Sequence, residues 1–93
     1  MIMDWPYDDN SKEIESEECL LDRINNYYTQ LKSEKDCVGY IISNISPKTI
    51  SLNKLESVAN FLNKVNPLLG VNAYSEKKNG NKLYSFKIIK KKQ

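Results

Sequence analysis

Asn79-Gly80, set between two alternating runs, is the step that most limits the folds open to this chain. Both residue types tolerate the positive φ that a two-residue turn between antiparallel strands demands. Such a turn also fixes the register of its strands. Lys78 then faces Asn81, Lys77 faces Lys82, Ser75 faces Tyr84, Ala73 faces Phe86 and Val71 faces Ile88. Directly opposed residues share a sheet face. One face is therefore Val71, Ala73, Ser75, Tyr84, Phe86 and Ile88, an apolar set. The other, with Asn72, Tyr74, Glu76, Leu83, Ser85 and Lys87, is mostly polar.

The segments before the hairpin follow from periodicity. Ser51 is a good helix cap, and Ile50 with Leu55 forms a hydrophobic staple. Leu55, Val58, Leu62 and Val65 continue an apolar stripe, flanked by Leu52, Ala59 and Phe61, so one unbroken helix is expected over 52–65. Asn66-Pro67 stops it, and Gly70 suits a left-handed exit. A strand is expected over 36–45, ended by Pro47, with Val38, Tyr40 and Ile42 on one face and Cys37, Ile41 and Ile45 on the other. An earlier helix is expected over 11–34, capped by Asn10, with Ile14, Leu21, Ile24, Tyr28 and Leu31 as its apolar stripe.

The order helix, strand, helix, strand, strand predicts a two-layer α+β domain. Its three-stranded antiparallel sheet has the order 1-3-2, with both helices on one face. A winged-helix-like arrangement is the alternative, since it also ends in a basic hairpin. Residues 1–10 read as an irregular acidic-aromatic entry segment, 11–89 as one domain and 90–93 as a basic tail. Helices cover one sheet face, so the other, carrying Tyr40 or Ile41, is expected to be open or covered by a second copy, which predicts a possible homo-oligomer.

Net charge conceals a polarised chain. Residues 71–93 hold Lys77, Lys78, Lys82, Lys87, Lys90, Lys91 and Lys92 against Glu76 alone. The first twenty residues hold three aspartates and four glutamates against Lys12. The glutamates before and within the first helix suit its positive dipole end, so part of that polarity is structural.

Several classes of chemistry are excluded. The chain has no histidine, so there is no Ser-His-Asp or Cys-His pair and no histidine base. Cys19 and Cys37 cannot complete a zinc shell by themselves and read as two small buried thiols, although a disulfide between them is geometrically allowed. No glycine loop for phosphate is present. Asp8-Asp9 and Glu17-Glu18 are adjacent pairs that point apart, unlike the opposed carboxylates of a glycosidase. The expectation is a non-enzymatic protein without cofactor or metal. No apolar run long enough for a membrane helix and no basic-then-apolar leader is visible, so a cytoplasmic protein with no membrane partner is expected.

The run from Ile45 through Leu55, Phe61-Leu62, Leu69-Gly70-Val71 and Tyr84-Ser85-Phe86-Lys87-Ile88 resembles the helix-then-hairpin portion of LAGLIDADG homing endonucleases. It covers under half of the chain through generic apolar and basic positions. The acidic signature helix of that family is absent, so no functional residue carries over.

Two functions fit. The first is a nucleic-acid-binding module, for DNA or RNA, with Lys77, Lys78, Lys82, Lys87, Lys90 and Lys91 against phosphates and Tyr74 stacking or contacting sugar. Arg23 is the only arginine, so weak sequence specificity is expected. Lysines on a hairpin also blunt edge-to-edge pairing, which is the structural explanation for the same residues. The second is a protein-binding adaptor or inhibitor, of the kind a virus or mobile element carries. Here Trp5 and Tyr7 anchor a partner, and Asp8 and Asp9 face its basic groove.

Overall fold

The computed structural model describes residue 14, residues 16–33 and residues 39–91. In order along the chain lie α1 (Glu17–Ser33), β1 (Gly39–Ile45), α2 (Leu52–Val65), β2 (Leu69–Lys78) and β3 (Asn81–Lys90). The strands form one antiparallel sheet in the order β1-β3-β2, as the sequence predicts. Every hairpin pair named from the Asn-Gly step is present, from Lys78 opposite Asn81 to Val71 opposite Ile88. The turn takes φ of 51° at Asn79 and 80° at Gly80, both in the left-handed region. That combination matches the strand twist.

The core lies between the sheet and the two helices. Ile42, Ile45, Val71, Ala73, Tyr84, Phe86 and Ile88 present one sheet face to Leu20, Ile24 and Leu31 of α1 and Leu55 and Ala59 of α2. Phe86 and Ile88, on the central strand, are wholly buried. Each such side chain contributes about 1.5–3 kcal/mol through the water it sheds. α2 is a single helix, so the chain is not winged-helix-like. Ser51 caps it by accepting from the Lys54 amide at 3.1 Å, and Ile50 and Leu55 are buried as a staple requires.

Five local expectations are corrected. First, α1 begins at Glu17, not near residue 11. Ser16 is its cap, accepting from the Cys19 amide at 3.2 Å, whereas Asn10 lies outside the described residues. Ile14 belongs to no helix. It adds a parallel bridge to the edge of β1, donating to the Asn44 carbonyl at 2.8 Å and accepting from Ser46 N at 3.2 Å. Second, Ile45 shares the helix-covered face with Tyr40 and Ile42. A register shift between Ile42 and Ile45, with Asn44 at φ 59°, inserts an extra residue and reverses the alternation.

Third, Gly70 is a β2 residue opposite Ile89 and takes no positive φ. Asn66 ends α2 instead, with extended backbone and its N–H returned to the Leu62 carbonyl. Fourth, Cys19 is an exposed free thiol, because the buried stripe of α1 runs through Leu20, Ile24 and Leu31 and leaves it to one side; Cys37 lies outside the described residues. Fifth, of the two residues expected on the second sheet face, Ile41 lies there and Tyr40 does not. Tyr40 sits on the helix side, where its ring stacks on Tyr27 at 4.2 Å between centroids and its hydroxyl donates to Gln30 Oε1 at 2.7 Å. Ile41 faces the other way and is half-buried, while Leu83 and Ser85 on that face are buried. The Ser85 hydroxyl donates to Glu76 Oε1 at 2.7 Å, which meets its need for a partner.

Each exposed edge of the sheet is met at one point by a residue from elsewhere in the chain. Ile14 meets β1. On β2, the Asn63 side chain of α2 accepts from Val71 N at 2.8 Å and donates to Val71 O at 2.9 Å. An amide side chain thereby stands where another strand would pair. Among the described residues no helix is long and apolar enough to cross a membrane.

Candidate nucleic-acid interface

The hairpin tip is where the basic residues gather. The two-residue turn puts Lys77 directly opposite Lys82, on one face, and Lys78 opposite Asn81 on the other. Like charges placed opposite each other in an antiparallel pair are unfavourable by a few tenths of a kcal/mol. All three lysines are exposed, so water screens the repulsion. An anion laid across them relieves it. Lys78 Nζ reaches across the sheet to the Asn44 Oδ1 of the β1 bulge at 3.2 Å. That neutral oxygen orients the ammonium group and leaves its charge in place.

A fourth lysine joins them. The turn after β1 places Lys48 beside the tip, and Ser46, Pro47, Lys48, Asn81, Lys82 and Leu83 line a shallow concavity of about 300 Å³. The turn is held in several ways. Ser46 accepts from the Lys48 amide through Oγ at 3.2 Å and from the Thr49 amide through its carbonyl at 3.0 Å. The Thr49 hydroxyl donates to the Ile14 carbonyl at 2.7 Å. Among the described residues none of those lining the concavity is acidic. Lys48 stands thirty residues before Lys78, so only the β1-β3 pairing reveals its place; the sequence signal available was a lone lysine after Pro47.

The remaining basic candidates are not brought to this end. Lys87 lies mid-sheet opposite Asn72 and Ile41, about 17 Å from Lys82 at the usual strand rise. Tyr74, half-buried opposite Ser85, shares that second face. Lys90 and Lys91 lie at the far end of β3, about 27 Å or more from Lys82. There they line a separate cavity with Leu31, Lys32, Leu68 and Leu69. The lysine-rich C-terminal third is thus two basic regions joined by a strand. Trp5, Tyr7, Asp8 and Asp9 lie outside the described residues.

Among the described residues no three His, Cys, Asp or Glu side chains converge as metal ligands. Comparison with protein-family models, curated proteins and solved structures finds no match to this chain.

Proposed function

We propose that this is a non-enzymatic nucleic-acid-binding protein that holds the phosphate backbone at the hairpin tip. The observation that supports it is the gathering of Lys77, Lys78 and Lys82 at the turn, with Lys48 and Lys82 on a concavity that has no acidic side chain among its described lining residues. The tip is narrow, two strands wide, and projects its ammonium groups from a rigid turn. Lysine binds phosphate as a point charge and reads bases poorly, so the expected binding follows the backbone and is largely indifferent to sequence. Tyr74 and Lys87 form a second, weaker contact along the same sheet face, on the side to which Lys78 points. Lys90 and Lys91 play no part in it.

Anisotropy of labelled DNA and RNA at two salt concentrations tests this. Four phosphate contacts give a log–log salt slope of about −3 to −4. Replacing Lys48, Lys77, Lys78 and Lys82 by alanine is expected to abolish binding, while replacing Lys90 and Lys91 leaves it within about twofold. Binding that does not weaken with salt, or that survives the four-lysine variant, refutes the assignment.

A further inference from the structure

The lysines at the hairpin tip are divided between its two faces. Lys77 and Lys82 stand on the face that continues from Ser75 and Tyr84, and Lys78 stands with Asn81 on the other. Asn44 Oδ1, in the β1 bulge, accepts from the Lys78 ammonium at 3.2 Å and holds it on that second face. Glu76, the one acid of the ribbon, turns its Oε1 to Ser85 and away from the turn. β1 pairs with β3 no nearer the turn than Tyr84. The pairs Glu76–Leu83, Lys77–Lys82 and Lys78–Asn81 therefore extend past the end of β1 as a two-stranded ribbon, by about 10 Å at the usual strand rise. On the β3 side the turn through Ser46, Pro47 and Lys48 forms a shoulder beside this ribbon. α2 starts at Leu52, just after that shoulder, and has no acidic residue in its first turn, so the positive end of its dipole adds to the field there.

Charge on both faces limits which nucleic acid fits the tip. A single strand has one backbone and meets one face at a time, which leaves the lysines behind it in water. The groove of a duplex has two phosphate walls and meets both faces at once. A ribbon with its side chains is about 10 Å thick. The major groove of B-form DNA, about 12 Å wide and about 8.5 Å deep, admits a two-stranded ribbon, whereas the minor groove at about 6 Å is too narrow. The projection beyond β1 matches that depth. In A-form RNA the major groove is deep, narrow and closed to side chains. The composition of the tip agrees. No residue from Glu76 to Leu83 is aromatic, so the ribbon itself offers unpaired bases no ring to stack on. Tyr84, the next residue, is buried in the core. Asn79 and Asn81 are exposed at the apex, and asparagine is a side chain that pairs with the major-groove edge of adenine.

We propose, resting on the assignment of the tip to phosphate, that the ribbon enters the major groove of B-form DNA. Lys77 and Lys82 meet the phosphates of one wall, Lys78 meets the other, and Lys48 on the shoulder meets the rim. Asn79 and Asn81 then face the base edges on the groove floor.

Anisotropy with the whole protein tests this on four probes. One is a DNA duplex of about 20 base pairs, two helical turns, containing an A·T tract and several cytosines. The others are its separated single strand, an RNA duplex of the same sequence, and the DNA duplex with glucosylated 5-hydroxymethylcytosine in place of cytosine. That sugar fills the major groove and removes no phosphate, so a loss there cannot come from charge. The plain duplex should bind at least about tenfold more tightly than each of the other three, and netropsin in its minor groove should change the affinity by less than about twofold. Lys78→Ala should lower the salt slope on the plain duplex by about 1, and Lys77→Ala plus Lys82→Ala by about 2. A single strand, an RNA duplex or the glucosylated duplex bound as tightly as the plain one overturns the proposal. Displacement by netropsin, or a slope that Lys78→Ala leaves unchanged, does the same. Each of these outcomes still leaves the tip a phosphate site, whereas failure to bind any of the four probes refutes that assignment and this one together.

Discussion

Lys82 and Lys90 stand on the same strand, eight residues apart, yet they serve different surroundings. Around Lys82 the neighbours are Lys48, Lys77, Asn81 and Ser46, with Pro47 and Leu83 beside them, so polar and apolar surface are both on offer. Around Lys90 and Lys91 the neighbours are three leucines, and an exposed Phe61 and Val65 lie beyond. Charge is common to both ends; the floor beneath it differs. The more polar of the two suits a partner that brings charge alone, such as a phosphate backbone. An apolar floor suits one that brings charge and hydrocarbon together. Lysine content reports neither floor, and the two ends look alike until the strand separates them.

The severest challenge to this two-ended picture removes the strand's central anchor. Phe86→Ala empties a fully buried site beneath both helices and is expected to cost about 3–5 kcal/mol. A small domain has about 5–15 kcal/mol in all, so urea unfolding followed by circular dichroism should shift sharply. Both basic ends should fail together.

Asn63→Ala is expected to act at one end. It strips Val71 of two hydrogen bonds at a buried strand edge, for a loss of about 1–3 kcal/mol. Faster exchange of the Val71 amide should accompany a lower melting temperature, with nucleic-acid binding at the tip unchanged. Altered tip binding would show that the two ends are coupled, and the comparison would fail.

Gly80→Ala probes the opposite end at smaller cost. No atom lies within 4 Å of the added Cβ, so the penalty is purely that of φ 80°, about 1 kcal/mol. Looser ordering of Lys77 and Lys82 should weaken phosphate binding and spare the cavity at the far end of β3. Lys54→Ala should be the mildest. Its partner Glu17 is more than a third exposed, and the expected change in stability by urea titration is under about 0.5 kcal/mol.

These features were unequally legible in the sequence. The hairpin could be read pair by pair because a two-residue turn leaves no freedom in register. α2 was equally plain, since Ser51, Ile50 and Leu55 mark its start independently of one another. The start of α1 was not. Asn10 and Ser16 are both good caps in one polar stretch, and the choice was made by tertiary contact, when Ile14 paired with β1 instead of joining a helix. The bulge at Asn44 was hidden for a related reason. Asparagine tolerates a left-handed backbone but does not require it, and the flanking run alternates as well without the extra residue. Of the tip lysines, Lys77, Lys78 and Lys82 follow from local pairing, whereas Lys48 arrives by a long-range contact. Phe61 and Val65 carried a signal that periodicity alone misassigned. They are apolar, but they sit on the flank that turns away from a sheet already filled.

The residues at the sheet margins carry one more implication. A three-stranded ribbon with bare sides invites another chain to continue it, copy after copy, toward a fibre. Ile14 meets one side and Asn63 the other, each at one point and with its own donor and acceptor in the slot a newcomer would take there. Sideways growth must therefore displace an existing hydrogen-bonded partner at Ile45 or at Val71, which shortens the run of edge that a newcomer can pair with.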